Sequence, residues 1–344
     1  MARKRNKVTL NPVLFIACEG TRTEFDYFTS WSQTEKARLH FSAINIYPSD
    51  TEEKPKNNPQ QLVDIAKKSL ADGNADMAWV VFDKDGHSLL AKAMNDAWEN
   101  KIKVAFSSRS FEEWVLMHFE KNPKPFEATE CKDENRKPIN CGTPACKNCA
   151  PVECLCGHLR RDGYLNNYSK KKKFDLYGQI SHRTEIAIIN APWLRFKSNA
   201  DRHIANNQLH KLNPYTDVDQ LVLTIEGRAD QVIWGGSSSD VTSDIWTLNV
   251  RVTDNNLVIQ LSHTQDRAQV INDLFINSAF FTTDDELNDL PCTFIEARII
   301  TAVHESTQYS LMPEDRMEFN FLYSGHPYFL FHDRSRNLRI YIEL

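Results

Sequence analysis

Lysine is missing from the last third of this 344-residue chain. From Ala229 to Leu344 there is none, and seven Arg face seventeen Asp and Glu, a net charge of −10. Residues 1–228 carry 34 basic and 29 acidic side chains, a net of +5. This shift sets a boundary between two domains, 1–228 and 229–344. It also divides their expected roles. The basic part is the one to meet a polyanion, because neutralising phosphates releases counterions, and the acidic part is expected to be repelled by one. Long apolar runs are missing too. None approaches the roughly 20 residues that span a bilayer, so no membrane partner is expected. The basic start, Met1 to Lys7, lacks the apolar core of a signal peptide, which makes the cytoplasm the expected compartment. No internal repeat stands out, and low complexity is confined to one lysine run and one serine run.

What is present is the make-up of an ordinary globular protein, 41% hydrophobic and 25% charged. In the first domain, apolar runs alternate with helical patterns. Residues 13–18, 40–47, 77–82 and 102–106 read as strands. Helices are expected over 22–36 (with Phe25, Phe28 and Trp31 inward), from Asn58-Pro59 onward, over 87–100 and over 111–120. Thr21 with Glu24, and Ser110 with Glu113, are spaced as capping boxes. Asn58 followed by Pro59 is a helix start. The alternation predicts an α/β fold, a doubly wound, Rossmann-like parallel sheet with helices on both faces. Two runs end in acid: Glu19 directly before Gly20, and Asp83-Lys84-Asp85 directly before Gly86. The carboxyl ends of such strands are where open α/β sheets bind ligands. Carboxylates gathered there make an all-oxygen site suited to Mg²⁺ or Mn²⁺. The plainer reading is that Asp83 and Asp85 only cap the next helix.

Three blocks carry a resemblance: Cys18-Glu19-Gly20-Thr21-Arg22-Thr23-Glu24, then Val81-Phe82-Asp83-Lys84-Asp85-Gly86-His87, then Ser110-Phe111-Glu112-Glu113-Trp114 with His118-Phe119. They resemble the RloB family, whose members contain a Toprim domain and are encoded in prokaryotic restriction and defence loci. Tyr168 with Lys170-Lys171, and the stretch Asn213 to Val218, resemble its distal segments, so the likeness covers roughly residues 1–226. The resemblance implies a Mg²⁺-dependent endonuclease in antiviral defence. Glu19 would be its general acid or base, with Glu19, Asp83 and Asp85 as the metal set. His87 and Glu112 are further catalytic candidates. Arg22, Lys84, Tyr168, Lys170 and Lys171 are candidates for contact with a nucleic-acid substrate, either RNA (tRNA included) or DNA. The chemistry is self-consistent: phosphodiester cleavage needs charge stabilisation and an activated nucleophile, and a carboxylate-held divalent ion supplies both. Two other readings stand beside it, a nucleotidyl or phosphate transferase at the same acids, and a non-catalytic subunit of a defence complex with protein partners. His118 lies about 240° round the helix from Glu112 and reads equally as a core histidine.

Six of the eight cysteines, Cys131, Cys141, Cys146, Cys149, Cys154 and Cys156, crowd into an insertion over about 127–160. Cys146 and Cys149 have the spacing of a zinc knuckle. The surrounding segment is too polar to make a core of its own, so structural Zn²⁺ is expected in preference to disulfides. One ion or two remains open, and Cys18 and Cys292 read as core. In the second domain, period-two alternation at Trp246–Val252, Met317–Phe321 and Leu338–Leu344 predicts a β-rich domain, of α+β type because a helix is expected over about 266–277.

Overall fold

The computed structural model describes residues 11–20, 22–48, 58–84, 89–131, 154–161, 163–170, 174–253, 255–263, 269–270, 279–284, 287–301, 310–311 and 316–344. The chain divides into two compact units, Met1–Arg228 and Ala229–Leu344.

The first half of unit 1 alternates strictly. Its order is β1 (Val13–Cys18), α1 (Thr23–Ser32), α2 (Glu35–His40), β2 (Ala43–Tyr47), α3 (Pro59–Ala71), β3 (Met77–Asp83), α4 (Leu90–Glu99), β4 (Lys103–Ser108) and α5 (Glu112–Met117). Helices then dominate: α6 (Leu155–Arg161), α7 (Leu176–Ile180), α8 (Thr184–Lys197) and α9 (Ala200–Ala205), before a short strand β5 (Tyr215–Thr216) and α10 (Val218–Ile225). The sheet order is β2-β1-β3-β4-β5. The first four strands are parallel and β5 adds an antiparallel edge.

Alternation along the strands splits the core into two layers. Ala78, Val80 and Phe82 of β3 pack with Leu62, Val63 and Ala66 of α3 and Ala93 and Met94 of α4. Trp79 and Val81 leave β3 on the other face and are also buried. There Tyr27 and Phe28 of α1 meet Phe111 edge-on at 5.4 and 5.9 Å. The helix expected over 22–36 is two helices, because Thr34 breaks it and caps the second by accepting from the Ala37 amide at 3.2 Å. As α2 runs through His40, β2 begins at Ala43 rather than at residue 40. Tyr27, Phe28 and Trp31 form the buried stripe of α1, while Phe25 is only half-buried. Asn58 caps α3 as expected, accepting from Gln60 N–H at 3.0 Å with Pro59 in the first turn. The edge strand β5 is held by Arg195, whose guanidinium binds the Thr216 carbonyl at 2.8 Å and the buried Asp219 carboxylate at 2.6 and 2.8 Å.

Unit 2 contains β6 (Gln231–Gly236), β7 (Asp240–Thr242), β8 (Trp246–Thr253), β9 (Asn256–His263), β10 (Gln269–Val270), β11 (Phe280–Thr283), β12 (Asp289–Pro291) and β13 (Thr293–Thr301). It ends with β14 (Ser310–Leu311), β15 (Arg316–Leu322), β16 (Tyr328–Asp333) and β17 (Leu338–Glu343). Two five-stranded sheets, β12-β11-β16-β17-β6 and β13-β15-β9-β8-β7, contribute to one apolar cluster built from Trp246, Leu248, Phe280, Phe319, Phe329, Phe331 and Ile340 among others. That is a sandwich core. The helix expected over 266–277 is contradicted at Gln269–Val270, which form a strand paired with Ser310–Leu311. The rest of that span lies outside the described residues. Tyr328 to Phe331 belong to a strand paired on both sides, and the run is core. Among the described residues no helix is long and apolar enough to cross a membrane.

Candidate active site

In the order β2-β1-β3-β4 the winding direction reverses between β1 and β3. A crevice opens at the carboxyl ends of strands at such a switch point, and the two leading acids flank it. Glu19 directly follows β1, and its amide donates to the Val81 carbonyl at 3.0 Å, extending the strand ladder. Asp83 ends β3, and its amide donates to Glu19 Oε2 at 3.1 Å. Asp83 is buried, 5% exposed, and its Oδ1 has no hydrogen-bond partner among the described residues. Burial, reinforced by the charges of Glu24, Glu112 and Glu19 and opposed by Lys170, holds its carboxyl well above the usual range.

Glu24 is the acid that sequence reasoning misassigned. Instead of closing a capping box, its buried carboxylate folds back over Gly20, where a Cβ would stand 2.2 Å from Glu24 Oε2. Any side chain at residue 20 would displace it. Thr21 lies outside the described residues, and the N-cap of α1 is Arg22, which makes no side-chain cap bond. Burial raises the Glu24 carboxyl as well, with Lys170 opposing and Glu112 adding to the rise.

Glu112, a catalytic candidate of the sequence, is held by the chain's own donors. It is fully buried and saturated with donors: the Ser110 hydroxyl at 2.7 Å, the Tyr168 hydroxyl, and Lys170 Nζ at 3.1 Å. Burial alone would raise its carboxyl, but Lys170, Tyr168 and Ser110 outweigh that and hold it below the ordinary value. Glu112 is therefore an ionised anchor. Ser110 serves it and does not cap α5, which has no side-chain cap. Glu113 beside it is fully buried, and burial, opposed by the Arg109 amide, pushes its carboxyl well up.

Lys170 reaches Glu112 with a side chain still about a quarter open to solvent (24%). Burial would lower its ammonium, but Glu112, Asp83 and Glu24 outweigh it and keep the group charged. Tyr168 is buried on Glu112 and does not offer its ring to a base. Lys84 donates to the Lys211 and Leu212 carbonyls, at 3.0 and 2.9 Å. Arg22 is exposed at the head of α1. His118 is core: buried against Trp114 at 4.7 Å between ring centroids, with Nδ1 donating to the Trp114 carbonyl, its basicity cut by burial to about 3. Asp85, His87 and Lys171 lie outside the described residues.

Of the cysteines, Cys141, Cys146 and Cys149 also lie outside the described residues. Cys154 is buried beside Ala128, and its sulfur accepts the Gly157 amide at 3.2 Å. Cys156 is buried too, which raises its thiol, and the Glu112 charge raises it further. Cys131 is buried, as is Cys18, and Cys292 is half-buried. Among the described residues, no three His, Cys, Asp or Glu side chains converge as a metal-binding group. Thus the structure brings Glu19, Asp83, Glu112, Tyr168 and Lys170 together with the unforeseen Glu24, and leaves Arg22 and Lys84 at the rim.

No curated protein matches the chain. Among protein families, residues 14–225 match the family described as RloB-like protein. That span covers both acid-bearing strand ends, the Glu112 anchor and the Arg195-bound edge strand. The chain belongs to the RloB-like family.

Proposed function

We propose that unit 1 is a Toprim-type, divalent-metal-dependent nuclease domain that hydrolyses phosphodiester bonds of RNA or DNA in antiviral defence. The observation that carries this reading is the pair Glu19 and Asp83, on adjoining strand ends at the switch point, with Asp83 Oδ1 buried and unsatisfied. A buried polar atom without a partner costs about 1–3 kcal/mol. The charges of Glu24, Glu112 and Glu19 add repulsion at Asp83. A hard cation relieves both, so the donor set fits Mg²⁺ or Mn²⁺ held by Asp83 and Glu19, with Asp85 next in sequence. Such an ion supplies charge neutralisation on the phosphoryl oxygens and a more acidic bound water.

The chain's own residues do the rest. Glu19, fixed by the Asp83 amide, moves a proton at the attacking or leaving oxygen. Lys170, aimed by Glu112 and Tyr168, presents an ammonium to the phosphate. Membership of the RloB-like family supports the reading. Parallel assays of plasmid, single-stranded DNA and total tRNA with Mn²⁺, Mg²⁺ or EDTA test it. Metal-dependent cutting of one substrate is expected, and no cutting of any would favour a non-catalytic binding subunit. That second reading has one observation behind it: Lys170 already supplies a cation to the cluster.

For the insertion we propose structural zinc. The Cys154 sulfur with an amide donated to it has the environment of a bound thiolate, whereas Cys156 belongs to the Glu112 surroundings. Elemental analysis of protein purified without added metal should find about one zinc per chain. A metal-free, fully folded protein would end the proposal.

A further inference from the structure

The carboxyl edge of the unit 1 sheet has two sides, and the acids occupy one. Successive side chains leave a strand on opposite faces, so Lys84 departs from β3 away from Asp83. It reaches the turn Leu209–Lys211, donating to the Lys211 and Leu212 carbonyls. The Ser108 hydroxyl, at the end of β4, donates to the same Leu212 carbonyl at 2.6 Å. Arg109 follows. Its half-buried side chain makes no hydrogen bond or ion pair with any described residue, and its Nε is closed off from solvent with no partner. Lys84 lies near it, and His210 near Lys84. Burial, then the Arg109 charge, lowers Lys84. Burial, then Lys211 and Lys84, lowers the half-exposed His210. Among the described residues no carboxylate pairs with Arg109 or Lys84.

Gathering like charges and stranding a buried N–H both cost stability. A guanidinium whose fork is free suits a phosphate, which it can grip through two N–H groups at once. Lys84 has used two of its three protons and keeps one to give.

We propose that Arg109, with Lys84 beside it, binds an internucleotide phosphate of the strand whose scissile phosphodiester lies at Glu19 and Asp83. The proposal rests on the nuclease reading for the identity of the ligand, and it deepens that reading by fixing how a strand crosses the sheet edge. One phosphate lies on the cationic side and the next reaches the acidic side. The contact positions the backbone and reads no sequence.

The test is fluorescence anisotropy of short labelled single strands, DNA and RNA, in EDTA over a salt series. Arg109→Ala should bind about tenfold more weakly, as for loss of a hydrogen bond between charged groups. Its salt slope should fall by about 0.7, one phosphate contact to a single strand. Arg109→Lys should keep the slope while losing part of the affinity. In the wild type, phenylglyoxal should modify Arg109, and the oligonucleotide should slow that modification, a readout that stands even if Arg109→Ala fails to fold. Unchanged affinity and slope in folded Arg109→Ala, or equal labelling with and without oligonucleotide, overturns the site. A nucleoside 5′-monophosphate competing as well as the strand overturns the internucleotide assignment. Because EDTA removes cleavage from the measurement, a protein that cuts nothing yet shows the Arg109 dependence would sink the nuclease reading and leave the phosphate site standing.

Discussion

The two units differ in how completely they satisfy their buried acids. In unit 2, Asp333 accepts from the Trp246 indole at 2.9 Å, from Ser335 and from Arg336 at 2.7 Å. Burial would raise its carboxyl, but these bonds outweigh it and hold the group low. Glu318 is likewise met by Gln260 at 3.1 Å and Arg251 at 3.3 Å. In unit 1, Asp83, Glu24 and Glu113 are buried with their carboxyls pushed up, and Asp83 Oδ1 is unsatisfied. Unit 1 also pairs buried acids, Asp219 with Arg195 and Glu112 with Lys170, so the unsatisfied Asp83 at its strand end is the exception that marks a candidate site. The larger negative charge, −10, belongs to unit 2, so what marks a site is acid held in strain and not acid in number.

The largest expected effect is at Glu19. Glu19→Gln should lower turnover by about 10²–10⁴-fold, the range for a lost general acid or base, while metal binding measured by calorimetry persists. Undiminished turnover would remove Glu19 from the mechanism.

Next is the anchor. Glu112→Gln and Lys170→Ala should each reduce kcat by about a hundredfold, the scale of a lost charge-stabilising donor. The double substitution should be little worse than either, because both break one unit. Additive losses would separate the pair.

Stability should follow pH through the raised acids. Asp217 is pushed by burial from an ordinary 3.8 to about 7. The folded form thus holds that proton more tightly than the unfolded chain, and its contribution to stability declines as pH rises from 3.8 through about 7. Burial raises Glu113 in the same direction. Asp217→Asn and Glu113→Gln should flatten the fall of Tm with pH; a profile as steep as wild type would show that these groups do not set it.

The smallest effect belongs to unit 2. A fragment ending at Arg228 should keep nucleic-acid affinity, and relief of acidic repulsion should if anything raise it slightly. Filter binding over a salt series checks this. A large loss with a flatter slope would show that unit 2 grips phosphates.

Much of this was legible in the sequence, because apolar runs ending in acid and glycine specify buried strands and what stands at their ends. Asn58-Pro59 worked for a local reason, since a cap needs only neighbours. Glu24 was misread because its spacing from Thr21 satisfies a capping rule. Yet residues 24, 27, 28 and 31 form one helical stripe, and an acid on an otherwise aromatic stripe was the available signal. Glu112, Lys170 and Tyr168 meet across 58 residues or fewer of intervening chain, which no local pattern encodes. Lys84 looked free because the carbonyls that hold it, at Lys211 and Leu212, are more than 120 residues away. The alternation in unit 2 gave its strands but not the pairing of Gln269–Val270, where composition favoured a helix.

The central claim, that the crowded acids form a divalent-metal nuclease site, turns most directly on Asp83. Cleavage of the best substrate by wild type and Asp83→Asn should be compared side by side in Mn²⁺, with thermal melts confirming that both are folded. The account predicts cutting by the wild type and none by the variant, whose Tm without metal is equal or slightly higher because a repelled buried charge is gone. Cutting by folded Asp83→Asn at the wild-type rate would contradict it.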